Sequence, residues 1–348
     1  MRKVGAGTGQ LKVDKMRKAL VLGASGQMAR ALVPMLAKRG WHVDAVTRAG
    51  RDLPPELVPF ARHKPSADSR AQMIRDGKGY DAVFDPMAFD AGCAADLLAA
   101  RDEVGHYCVI STASVYADAK GRALETAGDT GFPEFPREIT ESQATVPPGA
   151  GYSAGKVALE LALAEAAVTI LRPCAIYGIG ARHPREWWFA KRALDGRARL
   201  PLVDAGQNIF HTSSATGIAS LAAFCLDHGH QGIFNVADPQ ALTVTQIAKA
   251  IGTAMGHRFT LIPVDDLPAS LAHIGYTPFS VDSPMRLSTA RARALGWDGG
   301  PSYAAQLPDY CAWMVRHAAS WARDFPAFAA YGHDVFDYAG EDRVLKQR

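Results

Sequence analysis

The stretch VLGASGQMARAL, Val21 to Leu32, constrains this chain more than any other. A short apolar run ends in Gly23-Ala-Ser-Gly26 and gives way at once to helix-forming residues. Glycine accepts the positive φ that a tight strand-to-helix turn demands, and it lets other groups approach the backbone. A buried strand followed by a helix starting near Gln27 is the expected local structure. Such a helix start exposes free N–H groups and a positive dipole end, so the turn either seats a phosphate or is a plain strand–helix turn. Ala29 is small enough to let the helix pack closely on its strand.

The same alternation continues. WHVDAVTR, YDAVFDPM and GHYCVISTASVY read as strands, and Ala91–Ala100 between the last two reads as a helix. SAGKVALELALAEAA reads as a helix and VTILRPCAIYG as one strand. Strands alternating with helices predict an α/β fold, a Rossmann-type doubly wound parallel sheet covered on both faces. After Gly178 the chain becomes more basic and aromatic, and a last helix is expected near Leu307–Ala322. The expected division is a flexible N-terminal tail (1–15), a nucleotide-binding domain (16–178, with 207–240 packing onto it), a smaller, partly interleaved C-terminal substrate lobe (179–206 and 241–330) and a C-terminal tail (331–348).

Composition excludes several classes. The net charge of +3 is too small to argue for nucleic acid or a membrane surface as partner. No apolar run approaches the roughly 18 residues of a membrane span. The five cysteines are scattered and form no CxxC pair. Neither a disulfide framework nor a zinc site is therefore expected, and a cytoplasmic location is. His183 and His211 have no neighbours at metal-ligand spacing, so no metal is expected.

In the phosphate reading, Gly23, Ser25, Gly26, Gln27 and Met28 form a pyrophosphate cradle. The end of the second strand then sets cofactor preference. Asp44 lies inside that strand, while Thr47 and Arg48 stand at its end. A guanidinium there can grip a 2′-phosphate in bidentate fashion, which favours NADP(H) over NAD(H). A plain surface arginine is the alternative for Arg48. Asp68 could accept from an adenine amino group or cap a helix.

Two further stretches carry chemistry. GYSAGKVALE places Tyr152 and Lys156 on one helical face. An ammonium beside a phenol would lower its pKa from about 10, and such a tyrosine can exchange a proton with a carbonyl or carbinol oxygen. Ser111, Thr112 and Ser114 follow a strand, where doubly wound sheets bind ligands; a serine-rich turn is the plain alternative.

GASGQMA, ISTASVYAD, YSAGK and LRPCAIYG occur in this order with sensible gaps. Together they resemble the extended short-chain dehydrogenase/reductase family, the NAD(P)-dependent epimerase/dehydratase group, over roughly residues 16–300. The resemblance implies that Tyr152 is the acid/base, that Lys156 tunes it and binds the nicotinamide ribose, and that Thr112 polarises the reacting oxygen. It also implies that Met87, Pro173 and Ala175 border the nicotinamide. Family members often dimerise through the YxxxK helix, so a homodimer is possible; VALELALAEAA suits pairing or burial equally.

The match is weakest after Gly178. DAGQNIFHTSS has no arginine after Gln207, and position 287 is leucine where relatives are often acidic. Both changes count against a nucleotide-diphosphate substrate. Ser114, Trp187 and His211 are the candidate substrate contacts, though Trp187 and Trp188 could instead pack the small lobe. The expected function is an NAD(P)-dependent oxidoreductase or epimerase acting on a hydroxyl or carbonyl carbon of a sugar or nucleotide-sugar-like substrate. A non-catalytic dinucleotide- or RNA-binding relative is the alternative.

Overall fold

Residues 16–47, 53–61 and 69–348 are described by the computed structural model. The expected tail at 1–15 lies outside the described residues. Among the described residues, six parallel strands form the main sheet. They are β1 (Lys18–Val21), β2 (His42–Ala45), β3 (Ala82–Asp85), β4 (Tyr107–Ile110), β5 (Val168–Pro173) and β9 (Gly232–Val236), in the order β2-β1-β3-β4-β5-β9. β3, β4 and β5 are buried along their whole length. Strands covered on both faces read as continuous apolar runs, which is how these segments appear in the sequence.

Alternate residues feed two cores. Val21, Phe84, Cys108 and Leu171 face the helices Gln27–Lys38 and Ala215–His228. Leu20, Val83, Val109 and Ile170 face Ala91–Leu98 and Tyr152–Ala162. The order of connection reverses between β1 and β3, so the crevice beyond their carboxyl ends lies next to Gly23.

VTILRPCAIYG is not one strand. The Cys174 amide donates to Ser213 Oγ at 2.9 Å instead of continuing the ladder. The chain leaves the main sheet there, and β6 (Ala175–Tyr177) pairs in parallel with β8 (Thr212–Ser214). A third sheet joins β7 (Arg199–Leu202) to β10 (Thr260–Pro263). Around it the helices Trp187–Leu194, Val244–Ala254 and Tyr303–Arg316 bury a second core that includes Trp188, Phe189, Ile247, Ile251 and Met314. The last long helix ends at Arg316, earlier than the expected Ala322.

The expected C-terminal tail is structured. Tyr338–Leu345 is a helix, and its Glu341 carboxylate is buried against Arg192. Arg192 also donates to the carbonyls of Trp188 at 2.9 Å and Val335 at 2.8 Å. A buried guanidinium needs this many acceptors to offset lost hydration.

Candidate active site

The glycine loop has the geometry of a cradle. Gly23 sits at φ +63, and a Cβ there would lie 2.9 Å from Met87 Cγ. The Gly26 amide donates to Gly23 O at 2.9 Å and closes the turn. No side chain caps the helix that follows, and its first turn carries no acidic residue. Among the described residues, no cap side chain therefore occupies its first N–H groups, which can face an anion. Ser25, Gly26, Gln27 and Met28 all reach the surface of this turn. Gln27 also lines the neighbouring cleft, and its buried Oε1 has no partner among the described residues. The loop and this unpaired acceptor fit a dinucleotide. Met87 packs against Gly23 through a brace that the sequence does not reveal: its amide donates to Asp85 at 2.7 Å, and Arg70 donates to its carbonyl at 2.9 Å. Arg48 and Asp68 lie outside the described residues.

β4 delivers Thr112, and Gly151 at φ +98 starts the helix that carries Tyr152. The two residues meet in one cleft of about 460 Å³, whose lining also includes Ser114, Ser153, Glu125, His183, Arg185 and Phe210. Thr112 and Ser114 hydroxyls lie 3.1 Å apart, and Ser153 Oγ donates to Ser114 Oγ at 3.1 Å. Ser114 therefore stands in a hydroxyl chain along the cleft lining.

Lys156 is 1 % exposed, and its ammonium donates to the carbonyls of Ala88 at 2.6 Å and Ile110 at 2.7 Å. One of its three N–H groups is left over. Burial pushes its pKa down to about 8. The expected lowering of the Tyr152 pKa by Lys156 is not found. Nζ lies 5.9 Å from the tyrosine ring centre and is nearer the Phe89 ring, at 4.4 Å. Tyr152 is instead raised above its ordinary value. Its side chain is about half open, at 49 %, yet loss of water around the phenol dominates; a bond from Thr112 opposes it and the Glu125 charge adds to it.

Glu125 escaped sequence reasoning. Its carboxylate accepts from the amides of Tyr152 at 2.8 Å and Ser153 at 2.6 Å, so it caps the helix in place of the cap side chain that Gly151 lacks. These bonds hold its own pKa below the ordinary carboxylate value. Only the S/T-x-x-E form of a cap is visible locally, and this carboxylate comes from 27 residues upstream.

Two expected substrate contacts are corrected. Trp187 is fully buried, edge-on to Phe325 at 5.5 Å between ring centres, because the apolar face of its helix is needed for the second core. His211 is buried as well. Its Nδ1 accepts from the Leu287 amide at 3.2 Å, which leaves Nε2–H to donate to Asp238 O at 3.0 Å. Burial lowers its pKa to about 4, so it is a neutral structural link. At the end of β5 and just beyond it, Cys174 and Ile176 line the cleft, while Pro173 and Ala175 are buried. Extended backbone alternates its side chains, so one residue of shift exchanges the two sets.

A doubly wound parallel sheet with a glycine turn at its switch point is the Rossmann-type class of α/β fold. Residues 19–237 match the NAD dependent epimerase/dehydratase family, and the chain belongs to that family. A search of curated proteins returns no match. Among solved structures, the chain is similar to UDP-N-acetylglucosamine 4-epimerase from Bacillus cereus, with 18 % identity, TM-score 0.63, and 86 % of this chain and 99 % of that one covered. UDP-glucose 4-epimerase from Thermus thermophilus, in complex with NAD, gives 18 %, 0.62, 86 % and 99 %. The dTDP-glucose 4,6-dehydratase from Bacillus anthracis, in complex with NAD, gives 13 %, 0.63, 88 % and 99 %. At these identities the likeness shows the fold. Among the described residues no helix is long and apolar enough to cross a membrane.

Proposed function

We propose that the chain transfers a hydride to or from a hydroxyl-bearing or carbonyl carbon of a sugar-like substrate, using NAD(P) as cofactor. One observation carries this reading: the Thr112 hydroxyl and the Tyr152 phenol face the same cleft, beside the open glycine loop. A dinucleotide held by Gly23, Gly26, Gln27 and Lys156 would supply or accept the hydride. Thr112 orients the substrate oxygen. Tyr152, kept protonated by its raised pKa, donates its proton to that oxygen as a carbonyl becomes an alcohol, and takes one back in the reverse direction. Lys156 holds the ends of two strand segments together through Ala88 and Ile110 and keeps one N–H for the ribose.

The lining favours oxidoreduction or epimerisation over elimination of water. Elimination also requires a base for a C–H proton. Glu125 is the one carboxylate among the described lining residues, and both its oxygens are engaged by helix amides. The NADP(H) preference rests on Arg48 in the sequence alone.

The test is the absorbance of dinucleotide retained after gel filtration, followed by Tyr152→Phe. A retained cofactor supports an epimerase, and one that exchanges freely supports a reductase. Tyr152→Phe is expected to lower turnover by at least about 100-fold, in line with general acid–base contributions, with cofactor affinity little changed. Absence of dinucleotide binding at millimolar concentration overturns the reading.

A further inference from the structure

The cleft contains one cation that the chemistry above does not use. Arg185 lines it, and its guanidinium carbon lies 5.4 Å from the centre of the Phe210 ring. Among the described residues Arg185 makes no ion pair. Its neighbour Glu186 is turned into the second core, where Tyr303 and Tyr310 donate to it at 3.3 and 3.2 Å. Glu125 is committed to the helix amides. His183, on the same wall, bonds Tyr331 OH at 2.9 Å and is lowered to about 4 by burial and by Arg185, so it is neutral near pH 7. Arg185 is thus the single permanent positive charge among the described lining residues.

A guanidinium laid on an aromatic face keeps its N–H edge free, and that edge matches two oxygens of a carboxylate or phosphate. A partly desolvated wall strengthens the contact. The second signal is that no further cation stands among the described lining residues. A nucleoside diphosphate presents two charged groups in series, and one of them would find no cationic partner among the described lining residues. The Asp204–Asn208 stretch, where the sequence already lacks an arginine, supplies none: Asn208 is tied to Asp204 at 2.8 Å and to Val281 O at 3.0 Å. The cleft volume of about 460 Å³ also lies low in the small-ligand range of about 300–1,000 Å³.

We propose that Arg185 anchors a single anionic group of the substrate, which is a sugar-sized molecule bearing one carboxylate or one phosphomonoester rather than a nucleoside diphosphate. Arg185 grips that group while the reacting carbon faces Thr112 and Tyr152. This rests on the reading of the cleft as a hydride-transfer site.

The experiment is calorimetry on the full chain saturated with NAD or NADP, so that the glycine loop is filled. Inorganic phosphate, acetate and UDP are the probes. Phosphate or acetate is expected to bind wild type, and whichever binds tighter names the substrate's anion. Arg185→Gln is expected to weaken that binding about tenfold or more, and Arg185→Lys to restore part of it, with cofactor affinity and unfolding midpoint unchanged in both. No binding of either small anion, or equal binding to wild type and Arg185→Gln, overturns the proposal. So does UDP binding that is more than tenfold tighter than phosphate and indifferent to Arg185→Gln. Failure of the dinucleotide itself to bind instead removes the reading of the site on which the proposal rests.

Discussion

The Glu125 carboxylate and the Tyr152 amide are 2.8 Å apart, so the helix that presents the candidate acid/base is capped by a residue from a separate helical turn, Leu124–Thr126. The charge that steadies the helix also opposes ionisation of the phenol. Glu125→Ala is expected to cost about 0.5–2 kcal/mol, the usual worth of a helix cap, in thermal or denaturant unfolding. It is also expected to lower kcat. Glu125→Gln keeps one good acceptor and removes the charge. It should therefore move the tyrosine limb of the pH–rate profile to lower pH. A limb that stays in place or rises would reject the electrostatic role.

Arg192 and Glu341 join the Trp187–Leu194 helix to the Tyr338–Leu345 helix, and both side chains are 2 % exposed. Removing one partner strands the other charge in the core. Glu341→Ala is expected to destabilise the protein by about 3–5 kcal/mol, read as a fall in the urea midpoint. Replacing both residues with apolar side chains of similar volume should cost much less than the single change. Equal losses would show that packing of the helix, rather than the stranded guanidinium, sets the cost.

His211 ties β8 to the segment around Leu287 only while neutral. Its pKa is lowered to about 4 in the folded chain, against an ordinary 6.5. Between those values the unfolded chain binds more protons, so stability present above pH 6.5 drains away as pH falls towards 4. His211→Gln keeps a donor and an acceptor without titrating. Its unfolding free energy should fall less steeply over that window than that of wild type, as measured by urea titrations at stepped pH.

Arg48→Ala bears on cofactor choice. Weaker NADPH binding, by about tenfold, with NADH binding little changed, is the expected outcome of losing a charged contact to the 2′-phosphate. Fluorescence titration of both reduced cofactors reads it directly. An equal effect on the two rejects the 2′-phosphate role.

Much of the first half of the fold was legible because its signals are local. Gly23 and Gly26 mark a turn by their own backbone needs, and apolar runs such as AVFD and YCVI mark strands buried on both faces. Tyr152 and Lys156 could be paired by helical spacing alone. What they do to each other could not. Lys156 spends two hydrogen bonds on Ala88 and Ile110, residues whose proximity depends on β3 lying beside β4. Glu125 was invisible for the same reason, as was the brace of Met87 by Arg70.

After Gly178 the aromatic and basic residues showed that something changes, without saying which side chains face inward. Trp187 and Arg185 are two positions apart, and only packing separates them: the tryptophan fills the second core, and the arginine is left at the cleft beside Phe210. His211 resembles a free imidazole until its two nitrogens are matched to the carbonyl of Asp238 and the amide of Leu287. By itself the sequence determined the alternating strands and helices and the glycine turn, because periodicity and backbone freedom are properties of neighbouring residues, whereas the Thr112, Tyr152 and Lys156 set was read from a family resemblance. Tertiary structure alone decided which charges are paired and which polar atoms stay free, because desolvation and hydrogen bonding depend on what the rest of the chain brings alongside.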